Sequence, residues 1–498
     1  MLSKEWAALK NGSDIRGVAS EGIPGACVNL TDPVVEAIAK GFIRFLEAAY
    51  NKKAMDLTIA IGHDSRISAQ RIKSACIRAI TGTGANVIDF GLCTTPAMFM
   101  STIDESLGVF ASIMLTASHL PFNRNGMKFF TREGGLEGSH ITEILTFAQE
   151  GAAIEAGTPG SVTTFDYLSR YAQHIAEIIQ RETGLSTPFA GMKIAVDAGN
   201  GAGGFYAEKV LAPLGADVSG SCFLEPDGTF PNHIPNPEDK DAMHAISQAV
   251  LSSHSDLGVI FDTDVDRAAI VDETGREINK NKLIALISAV LFAEKKGTVV
   301  TDSVTSTGLA TFITEELGGV HHRFKRGYKN VINEAKRLNE NGTYSPLAIE
   351  TSGHAALLEN YFLDDGAYLV TKLLIKAVTM RAEGRKLTEL IESLKEPKLA
   401  AGYRLNLTGA NFKEDGQKIL DALEKAVEKT EGMSLETPNY EGVRVNMGDG
   451  WFLLRLSLHD PLMPLDMQCD TQACLDSMYG FLKSFLSDFD CIDITCLP

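Results

Sequence analysis

The sequence predicts an α/β protein of three similar α/β domains with mixed, mainly parallel sheets and a smaller C-terminal α+β domain, arranged around a central cleft. The chain has 498 residues, which is too many for a single hydrophobic core. Three segments, 57–90, 192–218 and 298–320, repeat one pattern of strand, Gly-rich loop, amphipathic helix, Gly turn and second strand. Short apolar strands that alternate with helices are typical of βαβ units. Ligands of such sheets bind where the strands end, so we expect the domains to share one cleft.

The domain boundaries are predicted from changes in composition. Residues 151–163 are rich in Gly, Ser and Thr, and 395–397 is charged and contains Pro, as linkers often do. After residue 400 the chain alternates short strands around one amphipathic helix near 417–427, which predicts the α+β domain. The predicted domains are 1–160, 161–277, 278–397 and 398–498.

Charge and hydropathy limit the possible partners. The formal net charge of −18 disfavours nucleic acid and anionic membrane surfaces. No apolar run reaches the roughly 18 residues of a membrane span. The first residues show neither a secretory signal nor an import presequence, so we expect a cytoplasmic protein, with a plastid location open if a transit peptide has been removed. A small anionic substrate would need a locally basic cleft in so acidic a protein. We expect a monomer or weak homo-oligomer.

Eight cysteines are present and none forms a CxxC pair. In a chain of this length they are better interpreted as reduced, packed thiols than as a disulfide framework. Four of them stand near the C-terminus, at 469, 474, 491 and 496. Their spacing is wide for a structural zinc site and no histidine is interleaved, which favours free thiols there.

The strongest local signal is a run of three alternate carboxylates, Asp262, Asp264 and Asp266, directly after the apolar strand 257–260. Hard oxygen ligands at this spacing suit Mg²⁺. An EF-hand is excluded because Arg267 stands at its sixth position, where the sharp turn needs Gly. A solvated acidic turn remains the alternative.

A second signal is Ser118 beside His119, in a loop that follows another apolar strand. Turn-forming Asn and Gly residues come next, before Lys128. A serine hydroxyl can accept a phosphoryl group if cations and a metal spread its charge. Taken alone, Ser118 would be better interpreted as a helix N-cap.

Two further loops are less specific. In the run 349–354, carboxylate, hydroxyl and imidazole groups could hold several sugar hydroxyls, but polar residues are common in any loop. The segment 199–204 satisfies GxGxxG between a strand and a helix, with Glu225 further on, which would suggest a nicotinamide-dependent oxidoreductase. That pattern is common in βαβ turns, and it accounts for neither the carboxylates nor the Ser118 loop.

Together these motifs resemble the α-D-phosphohexomutase superfamily of phosphoglucomutases, phosphomannomutases and phosphoglucosamine mutases, and they occur in the expected order along nearly the whole chain. The segments that carry the resemblance are the substrate loop 11–17, the phosphoserine loop 116–119, the metal loop 262–267 and the sugar loop 350–354.

The resemblance implies a Mg²⁺-dependent hexose 1-phosphate/6-phosphate mutase, with glucose or mannose phosphates as substrates and glucosamine phosphate as the alternative. Phosphoserine would form a hexose 1,6-bisphosphate, which also serves as activator, and recover a phosphate from its other end. The implied metal ligands are Ser118, Asp262, Asp264 and Asp266. The implied catalytic residues are Ser118, His119, Lys128, Arg16 and Arg267. The implied substrate-binding residues are Glu350, Ser352, His354, Lys329, Arg455, Ser457 and His459.

The sequence departs from the superfamily pattern in the C-terminal domain. A phosphate-binding loop that commonly reads Arg-Pro-Ser-Gly-Thr-Glu-Pro is here residues 455–461, with Leu458 in place of Gly and His459 in place of Thr. Leucine restricts the backbone where Gly lets amides approach a phosphate. A phosphosugar-binding or bisphosphate-handling protein without mutase turnover is therefore the alternative of another class. Residues 301–306 and 324–330 resemble a divergent, plant-type, phosphoglucosamine mutase-like branch.

Overall fold

The computed structural model describes residues 1–151, 154, 158–457 and 460–498. These divide into two compact units, Met1–Asn279 with Ser352–Leu387, and Lys280–Thr351 with Thr388–Pro498. Within the part of the chain so described, no helix is both long and apolar enough to cross a membrane.

The first unit begins with an α/β domain built on a large mixed sheet. Its strands are β1 (Lys10–Asn11), β2 (Asp14–Val18), β3 (Thr58–His63), β4 (Asn86–Leu92), β5 (Ala111–Leu115), β6 (Arg124–Thr131), β7 (Gly134–Gly135) and β8 (Val162–Thr164). Its helices are α1 (Lys4–Ala7), α2 (Asp32–Tyr50), α3 (Ala69–Thr81), α4 (Thr95–Ile103) and α5 (Gly138–Glu150). The strand order is β1-β2-β6-β5-β3-β4-β8, with β7 on β6.

Helix α2 shows how the sequence forms this domain. It has Pro near its first turn, where the missing N–H costs nothing, and buries Val35, Ile38, Phe42 and Phe45 at helical spacing. This stripe packs into the core of the sheet with residues of α3 and α5. Strand β8 lies beyond the predicted boundary at residue 160, yet it pairs with β4 of this first sheet.

A second α/β domain follows in the same unit. Its elements are α6 (Tyr167–Thr183), β9 (Ile194–Asp197), α7 (Lys240–Ser253), β10 (Leu257–Phe261), β11 (Ala268–Asp272) and β12 (Glu277–Ile278). The sheet order is β12-β11-β10-β9, and β10 pairs parallel with β9 and antiparallel with β11. All five residues of β10 are buried, as expected for a central strand.

The third α/β domain contributes to both units. Residues of the second unit form α8 (Asn281–Phe292), β13 (Thr298–Thr301), α9 (Thr307–Thr311), β14 (Val320–Arg323), α10 (Tyr328–Glu340) and β15 (Leu347–Ile349). Residues of the first unit form β16 (Ala355–Leu357), β17 (Leu363–Asp364) and α11 (Gly366–Ala382). Strand β13 pairs parallel with β14 and β15, whereas β16 and β17 pair antiparallel.

The C-terminal domain of the second unit is a five-stranded antiparallel sheet with two helices. Its elements are β18 (Leu399–Asn406), α12 (Phe412–Val427), β19 (Met433–Leu435), β20 (Val443–Met447), β21 (Gly450–Leu454), β22 (Leu462–Cys469) and α13 (Gln472–Leu486). The order is β18-β22-β21-β20-β19. Burial alternates along β22, since Met463, Leu465, Met467 and Cys469 all face the core.

Short segments of other helix types complete the chain. Turns of 3-10 helix lie at Ala54–Asp56, Glu105–Leu107, Leu358–Asn360 and Leu387–Ile391, and π-helical turns at Tyr206–Leu211 and Phe312–Glu316. The predicted class is confirmed: three α/β domains with mixed sheets precede a β-rich C-terminal domain. The exact domain boundaries remain predictions.

Candidate active site

Two loops of the first unit bring Ser118 and the carboxylate run together. Ser118 lies in the loop between β5 and β6, and the run 262–267 is the hairpin loop between β10 and β11. Ser118 Oγ donates to Asp262 Oδ2 at 2.9 Å, and Arg267 Nη2 donates to Ser118 Oγ at 3.2 Å. The serine oxygen is therefore held between a carboxylate and a guanidinium group.

Both loops carry strained backbone at their centres. Ser118 has φ of 51° and Val265 has φ of 68°. A positive φ is uncommon for any residue with a Cβ and rarer still for a β-branched one. The Val265 carbonyl accepts a hydrogen bond from the Gly366 amide at 3.1 Å, at the start of α11. A Cβ on Gly366 would stand 2.7 Å from the Arg267 carbonyl carbon, so this close support requires Gly there.

The Gly-rich segment 199–204 supports the carboxylate loop from another side. The Ala202 amide donates to the Thr263 carbonyl at 2.8 Å, and a Cβ on Gly201 would lie 2.6 Å from that oxygen. Close approach to a neighbouring loop therefore accounts for the GxGxxG pattern, and the dinucleotide-binding alternative loses its basis.

Buried charges surround the serine. Lys128 on β6 donates from Nζ to Asp264 Oδ2 at 2.8 Å and to Asp266 Oδ2 at 2.5 Å. Arg267 pairs with Asp262 at 3.2 Å. We call Ser118, Lys128, Asp262, Asp264, Asp266 and Arg267 the reaction cluster. None of its six residues is more than 4% exposed, which excludes a solvated acidic turn.

Burial and close neighbours shift the pKa values of this cluster. Burial, followed by Asp266 and Asp264, raises the pKa of Asp262 well above its ordinary value. For Asp266, burial acts in the same direction, but Lys128, His354 and Arg267 outweigh it and hold the pKa well below its usual range. The ionised carboxylate is therefore strongly favoured at Asp266 and disfavoured at Asp262.

The three aspartates could hold a cation. One oxygen from each carboxylate lies within 4.8 Å of the other two. Asp264 Oδ1 and Asp266 Oδ1 are buried, and neither has a hydrogen-bond partner among the described residues. Buried carboxylate oxygens without a donor are costly unless a cation approaches them. The donor set is all oxygen, which suits Mg²⁺ rather than a soft metal.

His119 is held as a neutral imidazole. Its Nδ1 accepts a hydrogen bond from Arg267 Nη2 at 2.6 Å and lies 3.4 Å from Ser118 Oγ. Burial, then the charges of Arg267 and Arg16, lowers the pKa of His119 to about 3. The proton of the neutral ring therefore resides on Nε2.

Arg16 and His354 complete the predicted set in the first unit. Arg16 on β2 pairs in register with Gly126 on β6, two residues from Lys128, and its Nη2 contacts Asp14 Oδ2 at 3.0 Å. His354 Nδ1 lies 2.6 Å from Asp364 Oδ2 and 3.8 Å from Asp266 Oδ1. Burial opposes protonation of His354, but these two carboxylates raise its pKa to about 9.

The sugar loop is divided between the units at residue 351. Ser352, in the first unit, has a buried Oγ without a hydrogen-bond partner in the described ranges. In the second unit, Glu350 Oε1 accepts a hydrogen bond from the Gly327 amide at 2.6 Å, and Thr351 Oγ1 donates to Asp302 Oδ2 at 2.7 Å. Glu350 therefore lies beside the start of α10, the helix that carries Lys329.

Glu441 connects the C-terminal domain to the same region of the second unit. Its Oε2 accepts from Ser303 Oγ at 2.5 Å and from the Arg326 amide at 3.1 Å, and its Oε1 lies 3.9 Å from Arg455 Nη1. Arg455 also pairs with Asp466 at 3.2 Å. The structure thus brings predicted Arg455 near the segment that contacts predicted Glu350.

The remaining predicted phosphate ligands lie in the loop 455–461. The Ser457 amide donates to the Leu462 carbonyl at 3.0 Å, and Ser457 Oγ accepts from the Asp460 amide at 3.2 Å. Leu458 and His459 lie outside the described residues. His459 therefore stays a prediction from sequence.

Family models match most of the chain. The phosphoglucomutase/phosphomannomutase models for α/β/α domains I, II and III match residues 8–154, 169–275 and 279–397. The chain belongs to the phosphoglucomutase/phosphomannomutase family. This family is part of the α-D-phosphohexomutase superfamily, whose members are intramolecular phosphotransferases of the isomerase class. The predicted superfamily is confirmed, and its plant-type branch remains a prediction.

Individual relatives support the family over the full length. A phosphoglucomutase of Neisseria meningitidis serogroup A is 30% identical over 95% of both chains. A phosphomannomutase/phosphoglucomutase of Pseudomonas aeruginosa PAO1 is 27% identical over 97% of this chain and 96% of its own. A crystal structure of a phosphoglucomutase/phosphomannomutase family protein from Burkholderia thailandensis superposes with a TM-score of 0.78 at 25% identity, covering 98% of each chain.

Sequence reasoning missed Arg66, which fixes the loop that contains Ser118. Its guanidinium donates to the carbonyls of Pro121 and Arg124 at 2.8 and 2.9 Å, and to those of Leu120 and Ser118. Arg66 is 1% exposed and pairs with Asp64 at 3.5 Å. A signal existed, because Asp64 and Arg66 directly follow β3, which is parallel to β5 and ends at the same sheet edge.

Thr95 was also missed. It stands at the start of α4, where its amide donates to the Asp264 carbonyl at 2.9 Å and its hydroxyl to Asp264 Oδ2 at 2.5 Å. A Thr-Thr-Pro sequence before a helix predicts only an N-terminus, and it gives no sign of a contact with a loop of the next domain.

Proposed function

We propose that this family member is a phosphohexomutase that interconverts hexose 1-phosphate and hexose 6-phosphate through a phosphoserine at Ser118. The observation that carries the proposal is the placement of Ser118 Oγ between Asp262 and Arg267. In the same cluster, one buried oxygen of Asp264 and one of Asp266 have no hydrogen-bond donor among the described residues and are suited to bind a cation. Glucose and mannose phosphates are the proposed substrates, because the relatives reported above are named for them. Glucosamine phosphate is the alternative.

The proposed metal is Mg²⁺, bound by Asp262, Asp264, Asp266 and an oxygen of phosphorylated Ser118. When bound, the ion neutralises negative charge on the phosphoryl group as it transfers. The fit rests on the all-oxygen donor set and on the two buried oxygens without a described donor.

The residues around Ser118 supply orientation and positive charge. Arg267 and Asp262 fix the serine oxygen from two sides, so its approach to a sugar phosphate is set before substrate binds. Arg267 contacts Ser118 Oγ directly, and Lys128 brings positive charge through its pairs with the aspartates. His354, with its pKa of about 9, adds positive charge near neutral pH. His119, neutral with its proton on Nε2, is a hydrogen-bond donor to a phosphate oxygen rather than a base.

The transfer proceeds in two balanced steps. The hydroxyl oxygen of the hexose monophosphate forms a bond to phosphorus as the bond from phosphorus to Ser118 Oγ breaks, and the hydroxyl proton passes to Ser118 Oγ, which gives a hexose 1,6-bisphosphate and a free serine. Ser118 Oγ then takes the other phosphoryl group, its proton passes to the sugar oxygen that is released, and no phosphate is gained or lost. Arg16 lies on the strand next to Lys128, where its charge can hold the intermediate near the serine.

The second set of residues would recognise the parts of the substrate that do not react. We assign the sugar hydroxyls O3 and O4 to Glu350 and Ser352, with His354 close by along the chain. Lys329, Arg455, Ser457 and His459 would bind the non-reacting phosphate. Arg455 lies next to Glu441 and Asp466, so the phosphate must compete with two carboxylates for that guanidinium. The cytoplasmic location and the weak or absent self-association remain predictions.

A coupled assay tests this function. The purified protein receives Mg²⁺, a trace of glucose 1,6-bisphosphate, and the 1-phosphate of glucose, mannose or glucosamine in parallel, and 6-phosphate formation is followed. Turnover of glucose or mannose 1-phosphate is expected. Binding of these sugars by calorimetry without turnover of any of them would favour the non-catalytic or bisphosphate-handling alternative, which the altered loop 455–461 motivates.

Ser118→Ala tests the mechanism. Loss of the phosphoryl acceptor should lower kcat by about 10⁴-fold or more. Ser106→Ala, at an exposed position of the same domain, is the matched control and should keep full activity. Mass spectrometry of the protein after incubation with the bisphosphate should find one phosphoryl group on Ser118. Full activity in Ser118→Ala would refute the mechanism.

A further inference from the structure

Two cysteines and one aspartate converge at one edge of the C-terminal domain. Asp449 lies in the turn between β20 and β21, Cys469 is the last residue of β22, and Cys474 lies in the first turn of α13. The two Sγ atoms and one carboxylate oxygen of Asp449 all lie within 4.8 Å of one another. Three separate segments of the second unit thus meet through three side chains that can bind metal.

The thiols have only weak partners outside the cluster, whereas the Asp449 carboxylate also accepts hydrogen bonds from the side chains of Thr471 and Cys474. Cys469 Sγ donates to the Thr471 carbonyl at 3.5 Å and Cys474 Sγ to the Met447 carbonyl at 3.2 Å. The Asp470 amide reaches Asp449 Oδ1 at 3.4 Å. Thiols are poor hydrogen-bond donors, so bonds from these sulfur atoms to a metal ion would be much stronger than the hydrogen bonds that they replace.

The donor chemistry selects the ion. Two sulfurs and a carboxylate form a mixed, soft set that suits Zn²⁺ and differs from the all-oxygen set of the reaction cluster. In a tetrahedral zinc site, ligand atoms stand about 3.8 Å apart, so the observed cluster needs only small shifts. Asp449 is exposed, and Asp449 and Cys469 also line a cavity of about 360 Å³, so an ion has a route in and water can supply a fourth ligand.

We propose that Asp449, Cys469 and Cys474 form a Zn²⁺ site that ties the β20–β21 turn and the end of β22 to the start of α13. Zinc binds the thiolate form of cysteine, so binding releases a proton from each thiol to solvent, and the ion screens the charges that this leaves.

Spectroscopic titration of the full-length protein tests the site. The protein is reduced with a phosphine, stripped of metal and titrated with Co²⁺, which reports thiolate ligands through a charge-transfer band in the near ultraviolet. One equivalent of Co²⁺ should produce the band, and one equivalent of Zn²⁺ should abolish it. This sulfur-specific signal separates the site from Co²⁺ bound by the aspartates of the reaction cluster.

Matched cysteine variants decide the outcome. Cys469→Ser and Cys474→Ser should each lose the band or shift it strongly, whereas Cys491→Ser and Cys496→Ser should keep it. Zn²⁺ should raise the midpoint of thermal unfolding in the wild-type protein and the two control variants, but not in Cys469→Ser or Cys474→Ser. Absence of the band in reduced wild-type protein, or a band that survives in both Cys469→Ser and Cys474→Ser, would overturn the proposal. Neither result would bear on mutase activity.

Discussion

The reaction cluster and the loop 455–461 differ in how tightly their charges are held. The charged side chains of the cluster are at most 5% exposed and pair mainly with one another. Arg455 is 14% exposed, and its partners Glu441 and Asp466 are 20% and 31% exposed. Water screens the ion pairs of Arg455, so each is weaker than the buried ion pairs of the cluster. The charges of the cluster are therefore desolvated, whereas those around Arg455 are partly solvated.

This difference has a physical basis. In the cluster, removing one charge leaves its buried partner uncompensated, so a substitution there is expected to be strongly unfavourable. In the loop, a lost contact can be replaced by water or by another side chain. The predictions below test whether the effect of a substitution follows this difference in burial.

A large effect, second to that of Ser118→Ala, is expected in the cluster for Asp264→Asn. The amide removes one negative charge from the proposed Mg²⁺ site and weakens the contact with Lys128, so kcat should fall by about 10³-fold or more. Calorimetry should show weaker Mg²⁺ binding. Asp241→Asn, an exposed substitution in the second domain, is the control and should leave both measurements unchanged. If Asp264→Asn lost less activity than Arg455→Ala, the effect of a substitution would not follow the burial of the charge.

A smaller loss is expected for Arg66→Lys, which keeps the charge but removes the planar fork that binds the carbonyls of the Ser118 loop. Because small misplacement of a reacting group costs up to about 10²-fold, kcat should fall by about 10-fold to 10²-fold while KM changes little. Steady-state kinetics separates the two constants. Arg78→Lys, at an exposed position of α3, should behave as wild type. If KM rose by 10-fold to 10²-fold while kcat stayed constant, Arg66 would bind substrate instead of positioning the loop.

The contrast between Arg66 and the predicted residues shows what the sequence could and could not reveal. The positions of Ser118 and the three aspartates could be singled out because each follows an apolar strand, where the ligand-binding loops of α/β sheets lie. Lys128 was given a role only through the family resemblance. Arg66 acts on backbone carbonyls more than fifty residues away, and carbonyls carry no sequence signature. Val265 likewise gave no sign of its positive φ or of the hydrogen bond that its carbonyl accepts from the Gly366 amide.

In the fold, too, local elements were predictable from the sequence but contacts between distant segments were not. Alternation along β22 and the stripe of α2 specify strand and helix directly, because burial follows a fixed period. Pairing partners are not specified in this way, so neither the attachment of β8 to β4 nor the meeting of Asp449 with Cys469 and Cys474 could be read from spacing. Contacts between segments distant in sequence need the assembled domain.

A moderate effect is expected for Arg455→Ala. Loss of one charged contact to the non-reacting phosphate should raise KM by about 10-fold and leave kcat within about threefold, since such contacts contribute about 1.5 to 3 kcal/mol at most. Arg404→Ala, exposed on β18 of the same sheet, is the control for general charge loss. An unchanged KM would show that the altered loop no longer binds phosphate through Arg455.

The smallest effect on activity is expected for Asp365→Asn, which separates burial from catalysis. Asp365 is buried, accepts hydrogen bonds from the Tyr171 hydroxyl at 2.6 and 2.8 Å, and caps α11 through the Tyr368 amide at 2.9 Å. Asparagine caps helices as well as aspartate does, so the substitution removes the charge and keeps the cap. Turnover should therefore stay within about twofold of wild type.

Stability should nevertheless respond to pH. Burial raises the pKa of Asp365 to about 6 from its ordinary value of 3.8, so the folded state binds more protons than the unfolded state between these two values. Stability therefore falls as pH rises through this window, and the penalty is complete above pH 6, at about 2 to 3 kcal/mol. Denaturant unfolding at pH 4.5 and pH 7 should show that Asp365→Asn gains stability relative to wild type as pH rises. If the difference in unfolding free energy between the two proteins were the same at both pH values, Asp365 would ionise in the folded protein without a penalty. Burial alone would then not determine the energetic cost of a charge in this unit.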